Sequence, residues 1–563
     1  MAVKPQKRAA VAAPTVASSH RTDILGWLSR HARVLAATLI LLATIRIVAT
    51  YKVFDHTYDE PAHIACGIEW LADGVYKWEP QHPPLSRVAV SLLPFLTGAH
   101  PQREPRVDMY SMSKEGTHIL YDGKQYDRRL ALARAGNLPF FWIACLVVFV
   151  WGSRYFGPAA GVIALAIFTF TPSILAHAGL ATTDMALTAF LGASFLSGML
   201  WLEQPTVKRA LWFGVATGLG LLSKFTILVY LPVAVVLALV WYYWSANPKP
   251  ELGREIGRRL PTFALAVAVS LPVLWAGYRF SFGTPVGADF RMPAPEIYSG
   301  IREVLEHNRE GHPGYLLGQM RMDGFLMFYP VGLLVKTPIA ILLLFLAGAV
   351  LLARKHPLMK HARPAAAFAA GILLPALTSH INIGIRHVLP IFIAMSLLAG
   401  AASIWLLDPA RTQRWTRPAA GVLAAWLAVV SLLSHPDYLP YFNEFAGSHP
   451  ENILVDSDLD WGQDIKRLGQ RLRELGAKDV TFASRLIADL AGEHGFPPMS
   501  TQMDVMNPAP GWNAVSKTNW KQFRFGLGHN YENYQLWPDR YEPTEKIGKG
   551  ILLYYFNPAA MPR

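Results

Sequence analysis

The stretch that decides the fold is VLAATLILLATIRIV, Val34–Val48, followed at once by ATYKVFDHTYDEPAHIACGIEWLADGVYKWEPQHPPLSRVAVSLLPFL, Ala49–Leu96. The first run has Arg46 as its single charge, and it reads as a helix able to enter a bilayer. Just past its end, at the water interface, Asp59 and Glu60 stand side by side. A carboxylate there can take the proton of a hydroxyl arriving from water while the leaving group stays in lipid. Asp59 ahead of Glu60-Pro61 also suits a helix start, where it would serve only as a cap. If the stretch is helical, His63 faces the same way as Asp59, one turn on.

The rest of the chain repeats the pattern of that first run. Its 563 residues are 52% hydrophobic, with a mean hydropathy of +0.25. Apolar runs recur at 131–151, 161–175, 185–202, 211–222, 225–244, 261–278, 330–352, 365–377, 387–406 and 419–433. With the first run they predict a polytopic α-helical membrane protein of about eleven spans. The basic clusters of the short loops, such as Ser153-Arg154, Lys208-Arg209, Arg258-Arg259, Arg354-Lys355 and Arg411 to Arg417, all fall on the side of the N-terminus. That asymmetry places residues 1–33 in the cytoplasm as a tail, without the apolar core of a signal peptide. It places the long loops 51–129 and 281–329, and everything after residue 434, outside. Within the first loop, Ile64 to Leu71 and Leu85 to Leu96 read as short helices lying in the interface. The net charge of +13 is accounted for by these loops, and no nucleic-acid signature accompanies it. Two cysteines, Cys66 and Cys145, do not make a disulfide framework.

From His435 the apolar runs shorten, and residues 435–563 read as a small α/β domain of roughly 130 residues. Strands are expected at Ile453 to Val455, Val480 to Ala483 and Ile551 to Phe556, and helices at Ile465 to Leu475 and Leu486 to Ala491.

Beyond the acid pair, three groups could carry chemistry. Asp184 closes Thr182-Thr183-Asp184 between two spans on the outer side. It either caps the next helix or completes an acidic site, with or without a divalent cation held by Asp59 and Asp184. Lys224, Lys336, Arg386 and His387 lie in or beside apolar runs, where a charge costs about 2.5–3.5 kcal/mol. They either snorkel to the interface or gather around an anionic phosphate there. In the second long loop, His312, Tyr315 and Arg321 mark either a structural loop or a lid that binds an acceptor. The alternating acids from Asp456 to Asp464 fail as a calcium loop, because Arg467 occupies the last ligand position. They read as a capped turn, or Trp461 beside Asp460 lines a sugar-binding surface.

The ordered set Tyr58 to His63, His82-Pro83-Pro84-Leu85, Ala181 to Asp184, Leu334-Val335-Lys336-Thr337-Pro338, Ile383 to Pro390 and Asp456 to Asp464 resembles bacterial membrane glycosyltransferases. The family is the one related to protein O-mannosyltransferases and the lipid A aminoarabinose transferase. That resemblance implies the GT-C fold, a bacterial inner-membrane location, and a polyprenyl-phosphate-linked sugar as donor. It also implies a hydroxyl acceptor, on protein, lipid or glycan, at the extracytoplasmic face. It makes Asp59 the catalytic or acceptor-orienting acid, with Glu60 and Asp184 in support and His82 at the substrate. A transporter or flippase of lipid-linked sugars is the alternative. Such proteins tend to show duplicated halves and midplane charges, neither of which is visible here.

Overall fold

Each apolar run carries helix in a computed structural model that describes residues 24–108, 110–246, 251–408, 415–484, 486, 488–526 and 535–560. Most of the expected N-terminal tail, with Lys4, Lys7, Arg8 and Arg21, lies outside the described residues, as do Arg411 and Arg414. Five of the described helices are long and apolar enough to cross a membrane: Tyr126–Phe156, Asp184–Glu203, Ile227–Ser245, Leu252–Gly277 and Thr416–Leu433. The number rises to 8 if each of three bent pairs is one span, which is fewer than the eleven expected. Runs 211–222, 365–377 and 387–406 form helices Val207–Leu221, Arg363–Ala376 and Ile391–Leu407, of 15, 14 and 17 residues. Ile391–Leu407 is buried along almost its whole length, so neighbouring helices surround it on most sides.

One expected span is sharply bent. The run 330–352 forms Phe328–Lys336 and Ile339–Ala353, which meet at 117°. Pro338 lacks an N–H, and it forces the residue before it out of the helical region. Thr337 is accordingly extended, at φ −99° and ψ 131°. The carbonyls freed at the bend are satisfied from the C-terminal part of the chain. Asn443 Nδ2 donates to Leu334 O at 2.6 Å and to Thr337 O at 2.7 Å. A gentler break of 69° at Thr171-Pro172 separates Pro158–Thr169 from Pro172–Ala178.

The first long loop folds into helices Glu60–Asp73, Pro84–Leu96 and Ser111–Tyr121, matching its two expected short helices. Gly67 lets the first two meet: a Cβ there would lie 2.1 Å from Arg87 O. That close approach fixes the direction in which the helix starting at Glu60 presents its first turn.

The C-terminal region carries a five-stranded mixed sheet. Its order is Met499–Ser500, Val480–Phe482, Gly511–Ser516, Ile551–Phe556, Glu545–Ile547. The first two pairings are parallel and the last two antiparallel. Helix Ile465–Glu474 sets Ile465, Leu468 and Leu472 against Val480, Phe482, Ala514 and Leu553. Two expectations fail. Ile453 to Val455 is not a strand, because Leu454 is drawn into the helical core and Val455 packs on Tyr315. The described residues between Leu486 and Ala491 form turns rather than a helix.

Candidate functional site

Asp59 occupies the N-cap position of Glu60–Asp73, but its side chain makes no cap hydrogen bond. It turns instead to Arg386, whose Nη1 donates to Asp59 Oδ2 at 2.7 Å. The same Nη1 lies 3.8 Å from Asp184 Oδ2. Asp184 Oδ1 accepts from Lys224 Nζ at 2.7 Å. Four groups distant in sequence thus form a line of alternating charge: Asp59, Arg386, Asp184, Lys224. The line runs from a partly open end to a closed one, since the Asp59 side chain is 27% exposed and that of Asp184 is 0% exposed. Arg386 Nε and Asp184 Oδ2 are buried without a hydrogen-bond partner among the described residues. Polar atoms left so are costly, and a bound polar group would relieve them.

The C-terminal region builds the seat of Arg386. Gly384, at φ 148°, lies against Ser457, whose Oγ would be 2.2 Å from an added Cβ. Ser457 Oγ donates to Ile383 O, and the Asp458 carboxylate accepts from Ile385 N at 3.2 Å. The Trp461 ring lies under the guanidinium, 4.2 Å from ring centre to Cζ. Such a stack favours a cation and holds its plane. Residues 461–463 also grip the Asp59 side of the line. Tyr58 N donates to Trp461 O at 3.1 Å and Asp55 N to Gln463 O at 3.0 Å.

Glu60 faces away from this line. Its carboxylate takes two bonds of 2.9 Å from Arg134, and accepts from Thr57 N at 2.7 Å and Ala181 N at 2.8 Å. Burial pushes its carboxyl up, but Arg134 and the backbone donors outweigh it and hold it below the ordinary range. Glu60 therefore positions the turn that carries Asp59, and ties it to the segment leading to Asp184.

The other expected residues divide. His387 is half-buried beside Arg386. Lys336 does not join the line. It sits at the 117° bend, and its ammonium donates to Leu439 O at 2.7 Å and to Asp458 O. A lysine at a sharp bend answers backbone carbonyls of the C-terminal region, so its place as a phosphate ligand is not supported. His63 keeps the expected helical relation to Asp59 through a backbone bond of 3.1 Å, but its Nδ1 accepts from Arg87 Nε at 3.0 Å. Its ring meets that of His82 at 5.5 Å, and His82 Nδ1 lies 3.2 Å from Glu79. Both histidines thus belong to a network with Glu79 and Arg87.

His312, Tyr315 and Arg321 lie on or beside the hairpin Gly314–Leu316 with Gln319–Arg321. His312 meets His307 ring to ring, Tyr315 packs on Val455 and Leu459, and Arg321 is exposed beside Phe325. The sugar-stacking surface expected at Trp461 is not open, since Trp461 is 5% exposed and Arg386 covers its ring. Asp460 accepts from Ser516 Oγ and from Gly462 N at 3.2 Å, which makes it part of the loop's own frame. The space between Asp59 and Asp184, where a divalent cation would bridge them, holds the Arg386 guanidinium.

Glu79 gives a test of how this outer network is held. It pairs with Arg87 and His82, and its side chain is 17% exposed. Burial pushes its carboxyl up, but Arg87 and His82 outweigh that and lower it from 4.5 to about 2. The folded value lies below the unfolded one, so the stabilisation is complete above pH 4.5 and is lost as pH falls through about 2. The difference corresponds to about 3 kcal/mol at neutral pH. Glu79→Gln is expected to lower stability at pH 7 by up to that amount and to flatten the acid limb of a thermal unfolding series. An acid limb identical to that of the unaltered protein would remove Glu79 from this role.

Residues 134–276 match the family model described as dolichyl-phosphate-mannose-protein mannosyltransferase. That match covers about a quarter of the chain. No curated protein matches the chain. Among solved structures, ArnT from Cupriavidus metallidurans bound to undecaprenyl phosphate is similar over 96% of this chain and 100% of that one, at 13% identity and a TM-score of 0.46. AglB from Archaeoglobus fulgidus, in complex with an inhibitory peptide and a dolichol-phosphate, is similar over 89% of this chain and 68% of that one, at 12% identity and 0.47. The protein O-mannosyltransferase Pmt1–Pmt2 complex of S. cerevisiae, bound to the sugar donor, is similar over 44% and 33%, at 16% and 0.33.

Proposed function

We propose that this chain, related over residues 134–276 to the dolichyl-phosphate-mannose-protein mannosyltransferases, is a GT-C membrane glycosyltransferase. It moves a sugar from a polyprenyl-phosphate-linked donor to a hydroxyl acceptor at the extracytoplasmic face of the bacterial inner membrane. The observation that carries this reading is the line from Asp59 through Arg386 and Asp184 to Lys224. A partly open carboxylate and a buried guanidinium touch at 2.7 Å, at the end of a helix that starts just after the first apolar run.

The reaction follows from these groups. The acceptor O–H bond breaks and its proton passes to an Asp59 oxygen. The acceptor oxygen forms a bond to the anomeric carbon as the bond from that carbon to the donor phosphate breaks. The electron pair of the broken bond goes to the phosphate, which Arg386 and Lys224 stabilise as its charge grows. A donor phosphate competes with Asp59 for the Arg386 fork. Binding of donor then releases the Asp59 carboxylate to meet the acceptor hydroxyl, so the order of events is built into the ion pair. His387 stands beside the phosphate position. His63 and His82, one layer out, approach the acceptor through the network with Glu79. No step here calls on a metal ion.

The purified protein in liposomes, supplied with a labelled polyprenyl-phosphate sugar and a panel of hydroxyl acceptors, tests this reading. A new glycosidic bond is expected. Movement of labelled donor between leaflets with no new bond would replace transfer by transport.

A further inference from the structure

Four residues before Asp59 lies a buried polar cluster that the transfer chemistry does not use. It joins Asp55, His56, Tyr121 and Tyr126 of the first loop to His494 of the C-terminal region. All are buried except Tyr121, which is partly so. Asp55 Oδ1 accepts from the Tyr126 hydroxyl and from His56 N at 2.8 Å. His56 Nδ1 lies 2.8 Å from the same hydroxyl. Tyr121 and Tyr126 stack with ring centres 4.4 Å apart. His494 Nε2 reaches into this group, 2.7 Å from the Tyr121 hydroxyl and 3.3 Å from Asp55 Oδ2. That oxygen makes no hydrogen bond among the described residues, so the His494 imidazole is the polar group that answers it. Asp55 is also the first fixed point of the turn that ends in Asp59. Its N–H goes to Gln463 O at 3.0 Å, and its carbonyl accepts from Arg134 Nη2 at 2.7 Å.

We propose that His494 is a positioning residue for Asp59: through Asp55 it holds the turn of residues 55–60 that aims the Asp59 carboxylate at Arg386. The C-terminal region is then part of the catalytic unit and not an appended binding module. Removing the imidazole takes away the polar group 3.3 Å from that already unbonded oxygen, and the turn moves to find another. Because Arg134 and Gln463 still hold the backbone, the effect falls on the aim of the turn rather than on folding as a whole. The catalytic part of this proposal rests on the function proposed above, while the positioning part does not.

The test uses the full chain in proteoliposomes with His494→Phe and His494→Gln, reading kcat and donor KM alongside amide hydrogen exchange. His494→Phe is expected to speed exchange in residues 55–60 about tenfold and to lower kcat about tenfold, with donor KM within about threefold. His494→Gln keeps an N–H donor on a side chain of similar reach, and is expected to return both readouts to within about threefold of the unaltered protein. Exchange in residues 55–60 unchanged by His494→Phe would overturn the proposal. So would faster exchange spread equally through Gly511–Ser516 and Ile551–Phe556, because that pattern marks a loss of folding. If His494→Phe does not fold, Asp55→Asn keeps the size of the side chain but removes the charge that Nε2 meets at 3.3 Å. Faster exchange at 55–60 in that variant supports the proposal and unchanged exchange overturns it. If the unaltered protein forms no glycosidic bond, the proposed function fails by itself, and the exchange result alone decides the role of His494.

Discussion

Asp59→Asn is expected to lower transfer by a factor of about 10² to 10⁴, with folding and membrane insertion unchanged. The amide fills the same space and keeps an oxygen that accepts from Arg386 at the present 2.7 Å geometry. It cannot take a proton from an arriving hydroxyl, so the step that makes the nucleophile is lost. Stability changes little because the Asp59 side chain is 27% exposed and does not cap its helix. Arg386 retains Asp184 as a second acid 3.8 Å away, so its charge is not left alone. The separate readouts are turnover in proteoliposomes and the unfolding midpoint in detergent. Turnover within about threefold of the unaltered protein would retire Asp59 as the base. A large fall in midpoint would instead give it a structural role.

Much of this arrangement was legible in the chain itself, and the reason is physical. A run of apolar residues long enough to enter lipid is a local property, so every expected run carries helix. The meeting of Asp59 with Arg386 across 327 positions was legible only as an expectation that both lie on one side of the bilayer. What escaped is what depends on contacts between distant segments. An aromatic ring beside carboxylates allows either a capped turn or a sugar-binding surface at Trp461, and Arg386 covers the ring. A charge in an apolar run allows Lys336 to snorkel or to meet a phosphate, but the bend at Pro338 turns it to the carbonyls of Leu439 and Asp458. The signal for that bend was present, since a proline in the middle of such a run already argues against one straight helix. Arg134 was also within reach. It is a charge at the edge of an apolar run, the same observation that singled out Lys224, and it holds both oxygens of Glu60.

The second large effect is expected at Arg386. Arg386→Gln keeps hydrogen-bonding capacity but removes the charge that two carboxylates share. Removing one partner of a buried ion pair leaves the other uncompensated, at about 3–5 kcal/mol. Lys224 still answers Asp184 at 2.7 Å, so the cost falls toward the lower end of that range. The larger loss is functional. Without the guanidinium the donor phosphate has Lys224 alone, and donor KM is expected to rise by about tenfold or more, with a further fall in kcat. Arg386→Lys keeps a charge but not a planar fork over the Trp461 ring, so it should recover stability more fully than turnover. The pairing with Asp59 makes a sharper test. In the double variant Asp59→Asn with Arg386→Gln, the orphaned charge is gone from both sides. Stability should then recover part of the Arg386→Gln loss, a coupling of about 1–3 kcal/mol, while turnover stays absent. Thermal unfolding of the four proteins gives the coupling directly. Additive losses would show that the contact between Asp59 and Arg386 does not hold the two together, and donor affinity unchanged in Arg386→Gln would place the phosphate elsewhere.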